Sequence, residues 1–192
     1  GINAEYGDTM NLSQQLQVQI QTAKTQYTGN LLNFLPNGIG QLKTTAFTYT
    51  GQFENGLRHG QGIQETGSKI YEGEFKNDVE TGNGVLKDQD VVYEGEFFMG
   101  KKHGKGKLTQ KDYVYTGEFF EDQIKGFGSM KGQNFVYSGE FLNGQYDGYG
   151  ILEKDGSTYE GYFKSGKFNG DGVLKQDDQI KVGKWENGIF KE

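Results

Sequence analysis

The feature that most constrains this chain is a repeat of 22 residues. Counted from Tyr27 in steps of 22, seven consecutive marks carry tyrosine, and the eighth mark is Lys181. Glycine stands two residues after every mark, and a large apolar residue, most often phenylalanine, stands four after it. Seven complete units and one half unit follow without an insertion. A repeat of this kind predicts an array in which each unit is stabilised by its neighbours.

Each unit has the residue pattern of two β-strands. We call the marked tyrosine position 1 and number units 1 to 7 from Tyr27 to Tyr159. Positions 1, 3 and 5 alternate with polar residues such as Glu94 and Glu96, which is the two-residue period of a strand. The glycines at positions 12 and 14 and the apolar residue usual at position 16 alternate in the same way and predict a second strand. We interpret the glycines as room for an aromatic ring to lie flat on a neighbouring backbone.

The consensus Y-x-G-x-F-x-x-G-x-x-x-G-x-G-x-L resembles the MORN repeat family. It is seen in "YEGEFFMGKKHGKGKL" and "YSGEFLNGQYDGYGIL" and extends from Tyr27 to the C-terminus. The resemblance implies an all-β fold, an elongated, twisted single-layer antiparallel sheet of successive MORN β-hairpins. Two strands per unit at about 4.8 Å each predict a sheet on the order of 70 Å long. We therefore divide the chain into an N-terminal lead-in, residues 1–26, and a repeat array, residues 27–192.

The lead-in has two interpretations. The stretch "QLQVQIQT" alternates apolar and polar residues, and Val18 and Ile20 fall on positions 14 and 16 when counted back from Tyr27. This favours a degenerate hairpin or a capping strand, which would cover the open edge of the array. The alternative is a short helix, because Leu12, Leu16, Ile20 and Ala23 share a helical stripe.

Composition excludes several classes of protein. A net charge of −6 gives no general attraction to nucleic acid, so we expect no nucleic-acid partner. The absence of cysteine excludes disulfides and thiolate metal sites and suits a reducing compartment. No apolar run approaches the ~18 residues of a membrane span, and no signal peptide is visible. We expect an intracellular, cytoplasmic protein, and the family resemblance adds membrane–cytoskeleton junctions as a location.

The glycine- and lysine-rich stretch "VYEGEFFMGKKHGKGKL" does not match a phosphate-binding loop. The Walker motif G-x-x-x-x-G-K-[ST] would need glycine where Lys105 stands, and Gly106 and Lys107 are followed by Leu108. The stretch is one copy of the repeat.

The histidines and carboxylates that could serve catalysis or metal binding are also explained by the repeat. His59 and His103 share position 11 in units two apart, about 19 Å from four strand spacings, which is too far for a shared metal or proton relay. We interpret both as polar turn residues, and the recurring carboxylates as a solvated face (Glu72, Glu74, Glu94, Glu96). The sequence predicts no catalytic residue, no metal and no cofactor.

Departures from the repeat predict an apolar patch. Position 6 is usually polar but becomes Phe98, Phe120 and Leu142 in three consecutive units. Position 13, on the same side by the period of two, becomes Phe127 and Tyr149. These five residues predict a binding or dimerisation surface. The alternative is that another part of the chain or the twist of the sheet covers them.

Two further surfaces are predicted. Position 21 is apolar at Phe47, Val91, Tyr113 and Phe135, on the side of the tyrosines, and would line a groove for a partner's helix or extended segment. Core packing alone is the alternative. Lys101, Lys102, Lys105 and Lys107 in unit 4 would contact an anionic phospholipid, although acidic neighbours reduce their field.

These observations predict a non-catalytic protein–protein interaction scaffold, which presents a long β-sheet surface or groove to a partner at a membrane or cytoskeletal assembly. One alternative is an anionic phospholipid-binding module. Another is the regulatory repeat region of a larger enzyme, because arrays of the family that it resembles also occur fused to lipid kinases and methyltransferases. The open sheet edges also allow a homodimer.

Overall fold

The computed structural model describes residues 17–191, which form a single antiparallel sheet of 17 strands that is not closed. Each strand pairs with the strands before and after it in the chain, and the first and last strands pair with one neighbour each. There is no helix within these residues. The prediction of an elongated all-β sheet of hairpins is confirmed. At about 4.8 Å per strand, the sheet extends on the order of 75 Å.

The strands follow one another in chain order as β1 Gln17–Gln21, β2 Thr25–Leu32, β3 Leu35–Thr44, β4 Thr48–Glu54, β5 Leu57–Thr66, β6 Lys69–Lys76, β7 Val79–Asp88, β8 Val91–Phe98, β9 Lys101–Thr109, β10 Tyr113–Phe120, β11 Gln123–Gly132, β12 Phe135–Leu142, β13 Gln145–Lys154, β14 Ser157–Lys164, β15 Lys167–Gln176, β16 Gln179–Glu186 and β17 Ile189–Lys191.

Within each unit, positions 7 and 8 form a two-residue turn between the strands. Both residues have positive φ, as at Asn143 (50°) and Gly144 (75°). This backbone shape suits the right-handed twist of a hairpin, and asparagine and glycine adopt it most readily. The N–H of Gly144 donates to the carbonyl of Ile124, at position 10 of the preceding unit, over 2.9 Å. The turn of every unit from unit 2 onward makes the same bond, so each hairpin is linked to the one before it.

A continuous ladder of aromatic rings forms the core. The ring of Phe97 meets the ring of Tyr93 in its own unit and that of Tyr71 in the preceding unit, both edge to face. The tyrosine ladder consists of the buried rings at positions 1 and 5, with centroids 4.9 to 5.5 Å apart: Tyr27, Tyr49, Phe53, Tyr71, Phe75, Tyr93, Phe97, Tyr115, Phe119, Tyr137, Phe141, Tyr159, Phe163 and Trp185. We call this side of the sheet the ladder face. Because every position-5 ring from unit 2 onward lies between two units, the core is shared by the whole array.

The two glycines of the second strand have different roles. A Cβ at Gly106, position 14, would lie 2.5 Å from the ring of Tyr93, so the ring rests on bare backbone, as interpreted from the sequence. Gly104, position 12, has φ 60°, and a Cβ there would lie 2.7 Å from the carboxylate of Glu96. The glycine at position 14 makes room for the core, and the glycine at position 12 makes room for a carboxylate on the other side of the sheet.

That carboxylate stabilises a β-bulge. The register of the hairpin in each of the seven complete units shifts between positions 3 and 5, as between Gly95 and Phe97. The side chain at position 4 bridges the bulge, since Glu96 Oε1 accepts a hydrogen bond of 2.9 Å from the backbone N–H of Lys105 at position 13. Gln52, Glu74, Glu118 and Glu140 make the same contact. Glu74 and Glu96, interpreted from the sequence as part of a solvated face, are therefore also structural.

Residues 17–21 form a strand, not a helix. β1 pairs with β2 so that Val18 opposes Gly29 and Ile20 opposes Tyr27. This is the register in which Gly40 opposes Gly51 in a complete unit. β1 therefore extends the sheet in the register of a unit's second strand. Leu12 and Leu16, on which the helix interpretation depended, lie outside the described residues, and the boundary at residue 26 stays a prediction.

Candidate interaction surfaces

Position 10 adds a further layer to the ladder face, where its side chains lie against the tyrosine rings. The ring of Tyr146 stacks on Tyr137 with centroids 3.8 Å apart, and Phe168 stacks on Tyr159 at 3.7 Å. The guanidinium of Arg58 lies 5.9 Å from the ring centre of Tyr49. Sequence reasoning missed this position, which holds Pro36, Arg58, Glu80, Lys102, Ile124, Tyr146, Phe168 and Phe190. The layer is charged in units 2 to 4 and apolar from unit 5 onward.

The predicted groove residues lie on the ladder face. Phe47, Tyr113 and Phe135 are partly buried and pack against the core, and the Arg58 guanidinium lies 4.9 Å from the ring centre of Phe47. Tyr113 and Phe135 belong to neighbouring units, whereas Phe47 lies three units before Tyr113. The structure therefore groups two of the three, beside the apolar stretch of position 10. Whether a partner lies there stays a prediction.

The five residues of the apolar patch lie on the face opposite the ladder, and all are exposed. Their exposed fractions are 57% for Phe98, 47% for Phe120, 43% for Leu142, 65% for Phe127 and 43% for Tyr149. No part of residues 17–191 covers them, so twist and packing within this part of the chain do not bury the patch.

Three residues that sequence reasoning did not assign to the patch adjoin it. The ring of His103 lies between those of Phe98 and Phe120, with centroids 5.6 and 5.1 Å away. The ammonium of Lys125 lies 4.9 Å from the ring centre of Phe120. Tyr162 meets Tyr149 edge to face. Lys125 and Tyr162 occupy positions 11 and 4. Because alternate residues of a strand face the same side of the sheet, the repeat numbering could have placed both on the side of the patch.

The interpretation of the histidines as turn residues is wrong. His59 lies in β5 and His103 in β9, because the turn is confined to positions 7 and 8. His59 Nε2 lies 3.3 Å from Glu54, and the Nδ1 atoms of both rings are buried without a hydrogen-bond partner among the described residues. No group of three or more histidine, cysteine or acidic side chains in residues 17–191 is placed to hold a metal ion.

The four lysines of unit 4 are divided between the two faces. Lys102 lies on the ladder face, 5.8 Å from the ring centre of Tyr93 and 3.9 Å from Asp122. Lys101, Lys105 and Lys107 lie on the patch side, and Lys101 pairs with Glu121 over 3.6 Å. The four do not form one basic surface, and lipid contact stays a prediction.

The ladder tyrosines are neutral at physiological pH. Burial raises the pKa of Tyr49 and Tyr115 to about 12, and it raises the pKa of Tyr71, Tyr93 and Tyr137 further. Their hydroxyls donate to backbone carbonyls at position 4, as Tyr93 does to Glu96 over 2.8 Å. These phenols serve packing, and they are far from a pKa that acid–base chemistry near neutrality requires.

The fold and its surfaces define an open, all-β repeat protein. The family model of the MORN repeat matches six segments that together cover more than half of the chain: residues 49–67, 71–90, 93–113, 115–134, 137–158 and 159–179. The chain belongs to the MORN repeat family. The structure shows the same hairpin in unit 1, which those matches do not include.

A search of curated proteins found no match. MORN repeats are associated with binding to proteins or membrane lipids, and an all-β array of this type is a non-catalytic kind of fold. Among the described residues, the structure has no helix of the length and apolarity that a membrane span requires.

Proposed function

We propose that this protein is a non-catalytic scaffold that binds another protein through the apolar patch. The observation that carries the proposal is the exposure of Phe98, Phe120 and Leu142 at a position that is polar in most other units. The ladder on the other face forms the core without them. Exposed apolar side chains grouped in this way are typical of binding surfaces.

The patch has the chemistry of a protein interface. Aromatic side chains contribute large apolar areas at a small entropic cost, and they often supply much of an interface's binding energy. Here three phenylalanines and a tyrosine lie among polar residues, which form a rim. Because neighbouring units share rings, the surface is held in shape before a partner arrives, which reduces the ordering cost of binding.

The groove on the ladder face is a second surface for the same function. Tyr113 interacts with Tyr146 in the apolar part of position 10, and the ring of Phe135 lies over Gly132, which opposes Tyr113 in the strand register. A helix or an extended segment of a partner would fit along such a row. The two surfaces lie on opposite faces, so variants of one leave the other intact.

Fewer observations support the proposals for other partners and for the location of the protein. Contact of Lys105 and Lys107 with anionic phospholipid is less favoured because Glu94, Glu96 and Glu118 surround them. A regulatory role within a larger enzyme and a place at membrane–cytoskeleton junctions in the cytoplasm are supported by the family resemblance alone.

The test is the double variant Phe98→Asp with Phe120→Asp, compared with Lys76→Asp with Lys164→Asp. The control changes the same position 6 in units 3 and 7, where the residue is already polar. We expect the patch variant to lose specific partners in proximity labelling from native cells, and the control to keep them. Circular dichroism checks that both variants retain the sheet.

An unchanged set of partners in the patch variant would contradict the proposal. Analytical ultracentrifugation separates the homodimer alternative. If the parent is a dimer and only the patch variant is a monomer, the patch serves self-association.

A further inference from the structure

One row on the patch side combines carboxylates with aromatic rings on five consecutive strands. The row consists of Glu118 on β10, Phe127 on β11, Glu140 on β12, Tyr149 on β13 and Tyr162 on β14. Phe127 opposes Glu140, and Tyr149 opposes Tyr162, in the strand register. The three rings are 65%, 43% and 51% exposed. Glu140 therefore lies between two exposed aromatic side chains.

The carboxylates of this region are held in position by hydrogen bonds. Glu118 accepts from the backbone N–H of Phe127 over 2.7 Å, and Glu140 accepts from that of Tyr149 over 2.9 Å. Glu160, next to the row, accepts from the hydroxyl of Tyr149 over 2.7 Å. Each carboxylate uses one oxygen in these bonds, which leaves the other available.

None of these three carboxylates forms an ion pair within residues 17–191. At each end of this row, an acidic side chain has a lysine beside it. Lys105 opposes Glu118 on the preceding strand, and Lys184 pairs with Asp171 over 2.9 Å two strands after Tyr162. Between these lysines the row has rings where the cation would be, so Glu140 has Phe127 opposite it and no lysine, whereas Glu118 has Lys105 on one side and Phe127 on the other.

We propose that this row binds arginine side chains of a basic, linear segment of a partner protein. The inference rests on the proposed function and assigns a class of partner to one side of the patch. A guanidinium at Glu140 would donate to the available carboxylate oxygen while stacking on Phe127 and Tyr149. Ion pairing and cation–π contact then act on one group. Arginine suits such a site better than lysine, because its planar group stacks and donates at the same time.

The spacing of the row selects the conformation of that segment. Glu118 and Glu140 lie two strands apart, which is about 9.6 Å along the sheet. A polyproline II helix repeats every three residues with a rise of about 3.1 Å, so residues i and i+3 face the same way about 9.3 Å apart. In an extended β-strand, i and i+3 point to opposite sides. The segment is therefore an Arg-x-x-Arg sequence in polyproline II conformation, running along the long axis of the sheet.

The binding test uses fluorescence anisotropy with the labelled peptide Arg-Pro-Pro-Arg-Pro-Pro-Arg. We expect saturable binding that weakens as salt is raised, because the contacts are partly ionic. Two control peptides have the same charge: one has lysine for arginine, and the other has its three arginines adjacent. Both should bind about tenfold more weakly, a difference of about 1.4 kcal/mol. Equal binding of all three peptides would overturn the proposal.

Variants of the protein locate the site. Glu140→Gln removes the charge but keeps an acceptor for the N–H of Tyr149, so the fold is retained and peptide affinity should fall about tenfold. The matched control is Glu72→Gln, an exposed carboxylate of the same face in unit 3, outside the row. It should bind the peptide as the parent does. An affinity unaffected by Glu140→Gln would overturn the proposal.

Two further experiments distinguish this inference from binding of other ligands and from the proposed scaffold function. If Phe127→Ala with Tyr149→Ala abolishes binding to phosphatidylserine vesicles or self-association instead of peptide binding, the row serves a membrane or a second copy, and the inference is wrong. If the peptide does not bind but Phe98→Asp with Phe120→Asp still removes native partners, the scaffold function stands and only this inference fails.

Discussion

At the residue scale, the contact between a tyrosine ring and a glycine backbone explains why position 1 and position 14 vary so little along the chain. The ring of Tyr93 lies on Gly106, and its hydroxyl donates to the carbonyl of Glu96. Phenylalanine could fill the space but could not satisfy that carbonyl. Tyrosine therefore serves both the apolar and the polar requirement of a buried site.

This contact predicts the effect of a single methyl group. Gly106→Ala would place a Cβ 2.5 Å from the Tyr93 ring, so the ring or the strand must shift. We expect the free energy of unfolding to fall by about 1–3 kcal/mol, as overpacking does elsewhere, measured by urea denaturation.

The control is Gly166→Asn, where a Cβ would meet nothing within 4 Å and the positive φ of 80° suits asparagine. It should cost well under 1 kcal/mol. Equal losses in the two variants would show that ring packing is not the cause.

At the element scale, the hairpins are joined through their turns, and charged pairs strengthen two of the joints. Position 8 is usually glycine but becomes Asp78 and Asp122, and position 10 of the unit before each is a cation, Arg58 or Lys102. Asp78 Oδ1 accepts from both the backbone N–H and the Nε of Arg58, at 2.9 and 3.0 Å. The aspartates thus couple one hairpin to the next.

A double-mutant cycle with Arg58→Gln and Asp78→Gly measures this coupling. Asp78→Gly suits the turn, where φ is 69°, but removes the acceptor. We expect each single variant to lose about 1 kcal/mol and the double variant to lose less than their sum, because the partners share one interaction. The stability of each variant is measured by urea denaturation.

Arg58→Gln combined with Asp122→Gly is the comparison pair. These residues lie in different joints, so their effects should add. Additivity in the Arg58–Asp78 cycle would refute the coupling.

The elements also show which parts of the structure could be predicted from sequence. The strands and the ladder follow from the tyrosine and phenylalanine spacing, and the side of Phe98 and Phe127 follows from parity. The role of Glu96 could not be predicted, because a register shift brings its carboxylate to the N–H of Lys105. Position 10 carries no periodic residue type, so its packing on the tyrosines is visible only once the strands are paired. The misplacement of His103 arose from assigning the turn too many residues.

At the scale of the whole molecule, the ladder makes stability depend on pH in the alkaline range. In an unfolded chain tyrosine loses its proton near pH 10, whereas burial raises the pKa of Tyr49 and Tyr115 to about 12 in the sheet. Above pH 10 the unfolded state therefore binds fewer protons than the folded state, so a rise in pH favours unfolding.

We expect stability to vary little through tyrosine titration below about pH 10 and to fall steeply above it. Circular dichroism and tyrosinate absorbance followed together should show loss of the sheet and ionisation of the buried tyrosines in one step. Ionisation of these tyrosines near pH 10 with an intact sheet would contradict the burial argument.

The lack of any insertion from Tyr27 to Tyr159 restricts how such a chain can change in length. Removal of 22 residues returns every ring to a glycine, whereas removal of one residue turns the following side chains of that strand to the wrong side. Growth by duplication and shortening by deletion are therefore confined to whole units. Each such event would move a surface near one end relative to a surface near the other by about 9.6 Å, so distances between bound partners would change in discrete steps.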